Sequence, residues 1–342
     1  MRETYFLEFI SLAFGSFFLV GFLTPIMRNI AIKRDVLDLP SSPHKSHVIP
    51  VPYMGGVAIM AGILAVTYFA LFFGGRPAGE LFIATSVLLP AAALGLVGLI
   101  DDIRNMQPLP KFVAQTIAGT FTAFFLIATD SAGNPSGNQF LDAAMTLMWV
   151  VGITNSINFF DNLDGGASGA VAISSFALFL IAASNGQFLI AGLSIVTFGA
   201  LLGFLLWNKS PARIYMGDAG ALFLGVLVSV LALRLDPEVD SKITSFAIPV
   251  LLLAVPILDT SVAVISRVLR GVSPFQGGQD HLSHRLMKRG FSKRQSAYLL
   301  WSLTAIFAGV AVSIAILGGS SFLLLLLAIM FWVGLFTIFI RA

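Results

Sequence analysis

Carboxylates and amides are concentrated in the stretch NSINFFDNLDGGASG (residues 155–169), which follows one apolar run and precedes another. Charged groups at the end of an apolar segment are costly unless they are used. The polar residues of this stretch that we consider candidates are Asn155, Asn158, Asp161 and Asp164, and aspartates in comparable positions are Asp101, Asp102 and Asp218. Since the chain has no cysteine, such oxygen ligands favour a hard divalent cation such as Mg²⁺.

Groups that could bind phosphate accompany these acids. The segments DGGASG and GDAG each place an aspartate before small residues where a helix is expected to begin. Backbone N–H groups at such a helix start attract phosphate. Cations that could neutralise phosphate oxygens are Lys45, Lys111, Arg213, His281, His284 and Arg285. Acids for a metal and bases for phosphate together indicate metal-assisted phosphoryl transfer.

The elements that must position these residues are hydrophobic. Of the 342 residues, 57% are hydrophobic and 11% are charged, whereas a soluble domain carries about 25% charged residues. Apolar runs long enough to cross a bilayer recur along the chain. We therefore expect an all-α, polytopic integral membrane protein with about eleven transmembrane helices, the first being a retained helix and not a signal peptide. The predicted spans are 6–27, 53–74, 80–100, 111–129, 141–160, 166–183, 187–207, 218–235, 243–266, 294–317 and 319–340.

The distribution of lysine and arginine predicts the orientation. With the N-terminus outside, most of the 20 basic residues fall in inner segments, which places the C-terminus in the cytoplasm. We expect residues 1–342 to form a single transmembrane catalytic domain. Because its polar segments share one membrane face, one substrate is expected to be a lipid. The predicted active-site loops on the cytoplasmic face are 28–52, 101–111, 158–166, 208–218 and 267–293.

The chain resembles the polyprenyl-phosphate N-acetylhexosamine-1-phosphate transferases of glycosyltransferase family 4. The matching pieces are KSH…PYMGG, LIDDIRNMQPLPK, NSINFFDNLDGG, YMGDAG and a basic loop with histidines before the tenth span. It looks closer to the bacterial enzymes that start O-antigen, enterobacterial common antigen or teichoic-acid assembly than to the phospho-muramoyl-pentapeptide transferase. That related transferase usually carries three consecutive histidines in the last loop.

The resemblance implies a reaction. N-acetylhexosamine 1-phosphate, with GlcNAc-1-phosphate as the first choice, passes from a UDP-sugar to undecaprenyl phosphate and UMP is released. This would be the first membrane step of cell-envelope polysaccharide synthesis, at the cytoplasmic face of the bacterial plasma membrane. The implied cofactor is Mg²⁺, with Mn²⁺ as an alternative. The implied partners are the two substrates and membrane lipids, with no nucleic acid and, by analogy only, a second copy of the chain.

The resemblance also implies roles for the candidates. Asp101 and Asp102 match paired aspartates that serve as a base for the lipid phosphate or organise metal and diphosphate. Asp218 matches an aspartate that binds Mg²⁺ directly, and we group Asp102 with it as a metal ligand. Lys111 matches a lysine that contacts the diphosphate. The family's run of polar residues is matched by Asn158, Asp161 and Asp164. Of these, Asn158 and Asp164 are expected near the nucleotide and the metal.

The histidine loop departs from the family pattern. His281 and His284 match the outer positions of a His-x-His-His motif, but Ser283 stands at its third position. Arg285 could replace the missing histidine as a contact to phosphate or sugar. The predicted substrate-binding residues further include the cations Lys45 and Arg213 and the amide Asn155.

Several alternatives stay open at this point. Direct in-line attack by the lipid phosphate competes with a covalent aspartyl intermediate. Because the second pKa of a phosphate monoester is about 6, the lipid phosphate is largely ionised already, which favours metal-organising roles for the paired aspartates. The rival function is an ion-coupled transporter that uses intramembrane acids, although such sites are expected near the bilayer midplane.

Overall fold

The computed structural model is a bundle of α-helices with one two-stranded ribbon, and it describes residues 2–38, 50–104, 106–128, 137–239, 241–273, 278–317 and 321–341. The helices are α1 (Arg2–Lys33), α2 (Gly55–Phe73), α3 (Ala78–Arg104), α4 (Pro108–Ala128), α5 (Gln139–Phe160), α6 (Gly166–Ser184), α7 (Phe188–Asn208), α8 (Gly217–Arg234), α9 (Lys242–Leu252), α10 (Ala254–Leu269), α11 (Leu282–Lys288), α12 (Lys293–Leu317) and α13 (Ser321–Ile340). The ribbon pairs β1 (Leu37–Asp38) with β2 (Val51–Pro52) in antiparallel register before α2.

Each predicted span coincides with a helix or a helix pair. Within the described residues, nine helices are long and apolar enough to cross a membrane, and a bent pair, α9 with α10, would make a tenth. The chain is therefore a multi-pass helical membrane protein. Helix α4 covers the fourth predicted span but is not one of these nine helices. Eleven crossings and the orientation of the termini stay predictions.

The ninth predicted span is not one straight helix. Helices α9 and α10 meet at Leu253 with a bend of 74°. Pro256 explains the break, because proline has no N–H for the carbonyl of Leu252 and its ring crowds that carbonyl. Because of the bend, α10 runs in a different direction from α9. Helix α10 carries Asp259 and Arg267.

Helix α8 lies at the centre of the bundle. It packs mainly against α3 and α5 and also against α2. Of its apolar stretch 83% is buried, against 11% in the peripheral helix α13. A central helix of this kind can hold its N-terminus in a fixed place relative to the surrounding helices, and that end carries Asp218.

Helix α3 approaches α8 so closely that only a glycine fits at residue 98. A Cβ built on Gly98 would overlap the backbone of Asp218 and Ala219. Four residues further along the same face of α3, Asp102 reaches the start of α8. The small residue in α3 thus determines where the paired aspartates stand.

Candidate active site

Four side chains from α3, α4, α5 and α8 meet in one cluster, which we call the aspartate–lysine cluster: Asp101, Lys111, Asn158 and Asp218. The Nζ atom of Lys111 lies 3.0 Å from Oδ2 of Asp101 and also contacts Oδ2 of Asp218. The Nδ2 atom of Asn158 donates a hydrogen bond of 2.6 Å to Oδ1 of Asp218. Residues that lie up to 117 positions apart in the chain therefore share one charged centre, as the sequence predicts.

Asp102 holds the first turn of α8. The N–H groups of Asp218 and Ala219 donate to its two carboxylate oxygens, at 2.8 and 3.1 Å. Met216, at the N-cap position, supplies no side-chain cap, so Asp102 satisfies these otherwise unpaired donors from another helix. Its negative charge also faces the positive end of the helix dipole. The N–H groups expected to receive phosphate at GDAG are thus occupied by a carboxylate.

Asp161 lies beside the cluster at the C-terminal end of α5. Burial, and then the charges of Asp218, Asp102 and Asp164, raise the pKa of Asp161 to about 8. The described residues give the Asp161 carboxylate no hydrogen-bond donor. The site therefore holds several carboxylates close together with one nearby ammonium group, an environment that favours a further cation.

Asp164 joins the turn before α6 to the segment that leads into α8. Its carboxylate accepts from the backbone N–H of Ala212 at 3.2 Å and from the hydroxyl of Tyr215 at 3.4 Å. Burial and the charge of Asp164 raise the pKa of Tyr215 above its ordinary value, which keeps the phenol a donor. The backbone of Tyr215 pairs in turn with Pro52 and Gly55, so this acid positions the first and fourth predicted loops.

The histidine loop is anchored on α10. The Nδ1 atom of His281 lies 2.7 Å from Oδ2 of Asp259, whose other oxygen accepts from the N–H of Leu282 at 2.7 Å. Nε2 of His281 lies 3.3 Å from Nη2 of Arg267. Since Asp259 only accepts and Arg267 only donates, the ring carries its proton on Nδ1 and accepts at Nε2. Asp259 and Arg267 thus determine the tautomer of His281.

The other half of the loop faces α5. The hydroxyl of Ser283 donates to Oδ1 of Asn162, whose own amide donates to the carbonyl of Phe159 at 2.6 Å. His284 is buried, and its Nδ1 has no hydrogen-bond partner in the described part of the chain. Burial, and then the charge of His281, lower the pKa of His284 to about 4, so this imidazole is neutral near pH 7.

Two predicted substrate contacts have protein partners instead. Arg285 donates to the carbonyls of Asp280 and Phe339, at 2.8 and 2.6 Å, and to the hydroxyl of Ser266. Asn155 donates to Oε1 of Gln115 at 2.6 Å and thereby joins α5 to α4. Both residues hold helices together in this structure, and their contact with substrate stays a prediction.

Two further predicted cations are not part of the cluster as described. Arg213 is exposed, and its guanidinium lies 5.8 Å from the ring centroid of Trp207. Lys45 lies outside the described residues, which resume at Pro50. The roles of both residues as phosphate contacts stay predictions.

The chemistry of the cluster fits a magnesium ion. Asp101 and Asp218 converge on a single cation, the Lys111 ammonium, and they also contact each other. Each accepts one further hydrogen bond, Asp101 from the N–H of Met106 and Asp218 from the amide of Asn158. No group of three or more His, Asp or Glu side chains with metal-site geometry occurs within the described ranges. Two carboxylates that converge on one point suit an ion that typically takes one or two carboxylates and completes its shell with phosphates and water.

The comparisons with known proteins place the chain in a family. A model described as glycosyl transferase family 4 matches residues 84–236. A probable undecaprenyl-phosphate N-acetylglucosaminyl 1-phosphate transferase of Bacillus subtilis (strain 168) is 33% identical over 324 residues, which cover 93% of this chain and 85% of the relative. The chain belongs to the polyprenyl-phosphate N-acetylhexosamine-1-phosphate transferase family. Residues 84–236 of this family member include all four residues of the aspartate–lysine cluster.

Other members of the transferase family are similar over different lengths. A decaprenyl-phosphate N-acetylglucosaminephosphotransferase of Mycobacterium leprae (strain TN) is 30% identical, with 86% of this chain and 79% of the relative covered. A phospho-N-acetylmuramoyl-pentapeptide-transferase of Streptococcus agalactiae serotype Ia is 31% identical over 204 residues, 55% of this chain and 60% of the relative. Family membership gives no support to the alternative of an ion-coupled transporter.

Sequence reasoning missed three residues that build the site of this transferase-family member. Asp259 and Arg267 lie inside a predicted span or directly after it, where an acid and a base eight residues apart on a helix could have been recognised. Asn162, between the candidates Asp161 and Asp164, accepts from the Ser283 hydroxyl. The departure from the histidine motif at Ser283 therefore has a partner of its own.

Proposed function

We propose that this protein transfers N-acetylglucosamine 1-phosphate from UDP-N-acetylglucosamine to undecaprenyl phosphate and releases UMP. The observation that carries the proposal is the aspartate–lysine cluster, in which Lys111 lies between Asp101 and Asp218. The names of the Bacillus and Mycobacterium relatives support a polyprenyl phosphate acceptor and N-acetylglucosamine as the sugar.

The reaction needs charge neutralisation more than it needs a base. A non-bridging oxygen of the lipid phosphate attacks the sugar-bearing phosphorus, and the bond from that phosphorus to the bridging oxygen breaks, so that UMP leaves. Because a phosphate monoester is largely ionised near pH 7, no group has to remove a proton from it. Lys111 is placed to hold phosphate oxygens, and Asp101 keeps its ammonium in position.

Magnesium would be held by Asp218 and Asp101, and not by Asp102 as the sequence predicts, because both oxygens of Asp102 accept from backbone N–H groups of α8. When bound, such an ion withdraws negative charge from a diphosphate and stabilises a departing phosphate oxygen. Asn158 orients the Asp218 carboxylate through its 2.6 Å hydrogen bond. Asp102 acts on the same centre indirectly, because it holds the backbone that carries Asp218.

The cluster is proposed to face the cytoplasm of a bacterial plasma membrane. Its residues lie at the ends of α3 and α5 and at the starts of α4 and α8, and the distribution of basic residues predicts that these ends are on the inner side. A cytoplasmic face gives access to nucleotide sugars, while the lipid substrate is supplied by the bilayer. The product would then serve as the first lipid-linked sugar of an envelope polysaccharide.

Purified protein in detergent, supplied with undecaprenyl phosphate and separate UDP-sugars, tests the proposal. We expect UMP release with UDP-N-acetylglucosamine and Mg²⁺, and loss of the reaction with EDTA that added Mg²⁺ restores. Release of UMP without the lipid acceptor, or turnover only with a different donor class, would contradict it.

A further inference from the structure

A cavity of about 40 Å³ lies at the end of the bundle opposite to the aspartate–lysine cluster. It is bordered by the N-terminal part of α1, the C-terminal part of α2, the turn into α3 and the start of α7. A buried water needs about 10–15 Å³, so the enclosed part of the cavity accommodates about three small groups. The lining residues used below are Glu8, Thr67, Leu71, Arg76, Glu80 and Val196.

The cavity lies at the level of lipid headgroups. Glu80, near the start of α3, borders the cavity, whereas Asp101, near the end of α3, belongs to the aspartate–lysine cluster. The helix between them is about 32 Å long at 1.5 Å per residue, and the hydrocarbon core of a bilayer is about 30 Å thick. The cavity is therefore close to the membrane surface away from the proposed reaction.

The rim of the cavity carries two acids and one base. Arg76 contacts Oε1 of Glu8, and the charge of Glu80 also acts on Arg76. The guanidinium of Arg76 lies 5.8 Å from the ring centroid of Tyr5, which holds it at the rim. With one acid in excess, the rim favours a ligand that brings a cationic group.

The inner part of the cavity contains a polar atom without a partner. Thr67 is 6% exposed, and its Oγ1 has no hydrogen-bond partner within the part of the chain that the structure describes. The hydroxyls of Thr24 and Thr122 bond instead to carbonyls of their own helices. A buried hydroxyl without a partner is costly, so the hydroxyl of Thr67 is placed for an acceptor inside the cavity. The walls beside it are apolar and include Leu71 and Val196.

The helices that border the cavity face lipid. Exposed aromatic side chains on α1 and α2 near the same end are Phe6, Phe69, Phe72 and Phe73. In a bundle that spans a membrane, such side chains contact acyl chains and the inner part of the headgroup layer. The molecules next to the rim are therefore phospholipids.

We propose that this cavity binds the headgroup of a zwitterionic phospholipid that carries a primary ammonium group, of the phosphatidylethanolamine type. From water inward, such a lipid presents its ammonium, its phosphate and its ester carbonyl. The cavity offers Glu80 to accept from the ammonium, Arg76 to donate to the phosphate, and the hydroxyl of Thr67 to donate to the carbonyl. The inference does not rest on the proposed function, because no residue of the cavity belongs to the aspartate–lysine cluster.

The charge of the rim selects among phospholipids. An anionic headgroup would bring a second negative charge to a rim that already has one acid in excess. A quaternary ammonium has no N–H to donate to Glu80. A primary ammonium donates up to three hydrogen bonds, and those to a carboxylate are charge-assisted and strong.

Thr67→Val and Glu80→Gln test the inference. Thr67→Val removes the hydroxyl and keeps the shape of the side chain, and its matched control is Thr337→Val, where the hydroxyl bonds to its own helix. The control for Glu80→Gln is Glu238→Gln, an exposed acid. Delipidated protein in detergent is mixed with phosphatidylethanolamine, phosphatidylcholine or phosphatidylglycerol of identical acyl chains, and bound lipid is counted by native mass spectrometry.

We expect one tightly bound phosphatidylethanolamine per chain, with the other two lipids about tenfold weaker, the scale of one charge-assisted hydrogen bond. Glu80→Gln should weaken phosphatidylethanolamine about tenfold and remove the preference over phosphatidylcholine. Thr67→Val should weaken all three lipids about fivefold, the scale of one neutral hydrogen bond, and should raise the unfolding temperature of the lipid-free protein, because a buried hydroxyl without a partner is lost. Both controls should bind like the unsubstituted protein.

Equal retention of the three lipids would overturn the inference, as would a preference for phosphatidylglycerol. Cavity variants that match their controls would show that the cavity holds water only. Phosphoethanolamine that competes as well as the whole lipid would assign the cavity to a soluble amine and would also overturn the proposal. UMP release by the same preparations reports on the proposed function separately.

Discussion

At the scale of single residues, Asp218 connects every part of the aspartate–lysine cluster. Its side chain meets Lys111 and Asn158, while its backbone N–H is held by Asp102. The two functions are separable, because a change of the side chain leaves the backbone bond in place. This allows the charge of the residue to be tested without loss of its structural anchor.

Asp218→Asn should therefore abolish most activity and leave the fold intact. The amide keeps the size of the side chain but removes one negative charge from the proposed metal site, and we expect a loss of turnover of about 10²–10³-fold, as for other single electrostatic contacts in active sites. UMP release across a Mg²⁺ titration measures it, with thermal unfolding in detergent as the fold check. Asp236→Asn, exposed and distant, is the control; near-normal turnover of Asp218→Asn would exclude a metal role.

Asp259 is predicted to act as a positioning residue. In Asp259→Asn the side-chain oxygen can accept from only one of its two present donors, so an amide N–H would face either the Nδ1–H of His281 or the N–H of Leu282. Loss of a charge-assisted hydrogen bond of this kind corresponds to about 10- to 100-fold in activity. Unchanged activity with only a lower unfolding temperature would contradict this account.

At the scale of elements, the contact between α3 and α8 determines the geometry of the site. Gly98→Ala should separate the two helices, since its Cβ would overlap the Asp218 backbone, and should lower both the unfolding temperature and turnover. The matched control is Gly152→Ala on α5, where an added Cβ meets nothing within 4 Å. That control should be neutral or more stable by up to about 1 kcal/mol through helix propensity. Equal behaviour of the two variants would show that α3 tolerates displacement.

The same scale shows how far sequence reasoning reaches. Apolar runs predict the helices because each must span a fixed thickness of hydrocarbon, and the convergence of Asp101, Lys111, Asn158 and Asp218 follows from their common membrane face. The bend at Leu253 was missed, since prolines are tolerated in many straight spans. The Asp102 cap of α8 was missed as well, because nothing in GDAG indicates whether a phosphate or a carboxylate satisfies its N–H groups.

At the scale of the whole molecule, the central claim of topology is that all catalytic segments face the cytoplasm. The native chain has no cysteine, so single cysteines can report on sidedness without background. In intact cells, a membrane-impermeant maleimide should label Lys242→Cys and spare Lys209→Cys, both exposed positions, and permeabilised cells should show both. The reverse labelling pattern would show that the protein has the opposite orientation, with the site on the outer face.

The most direct test of the account is the fate of the β-phosphorus of UDP-N-acetylglucosamine. With the donor labelled at that atom, transfer of sugar 1-phosphate predicts that the label enters the lipid product in equal amount to the UMP released. Asp218→Asn should reduce both together. Release of labelled UDP with an unlabelled glycolipid would mean that the sugar alone is transferred, which would contradict the proposed function.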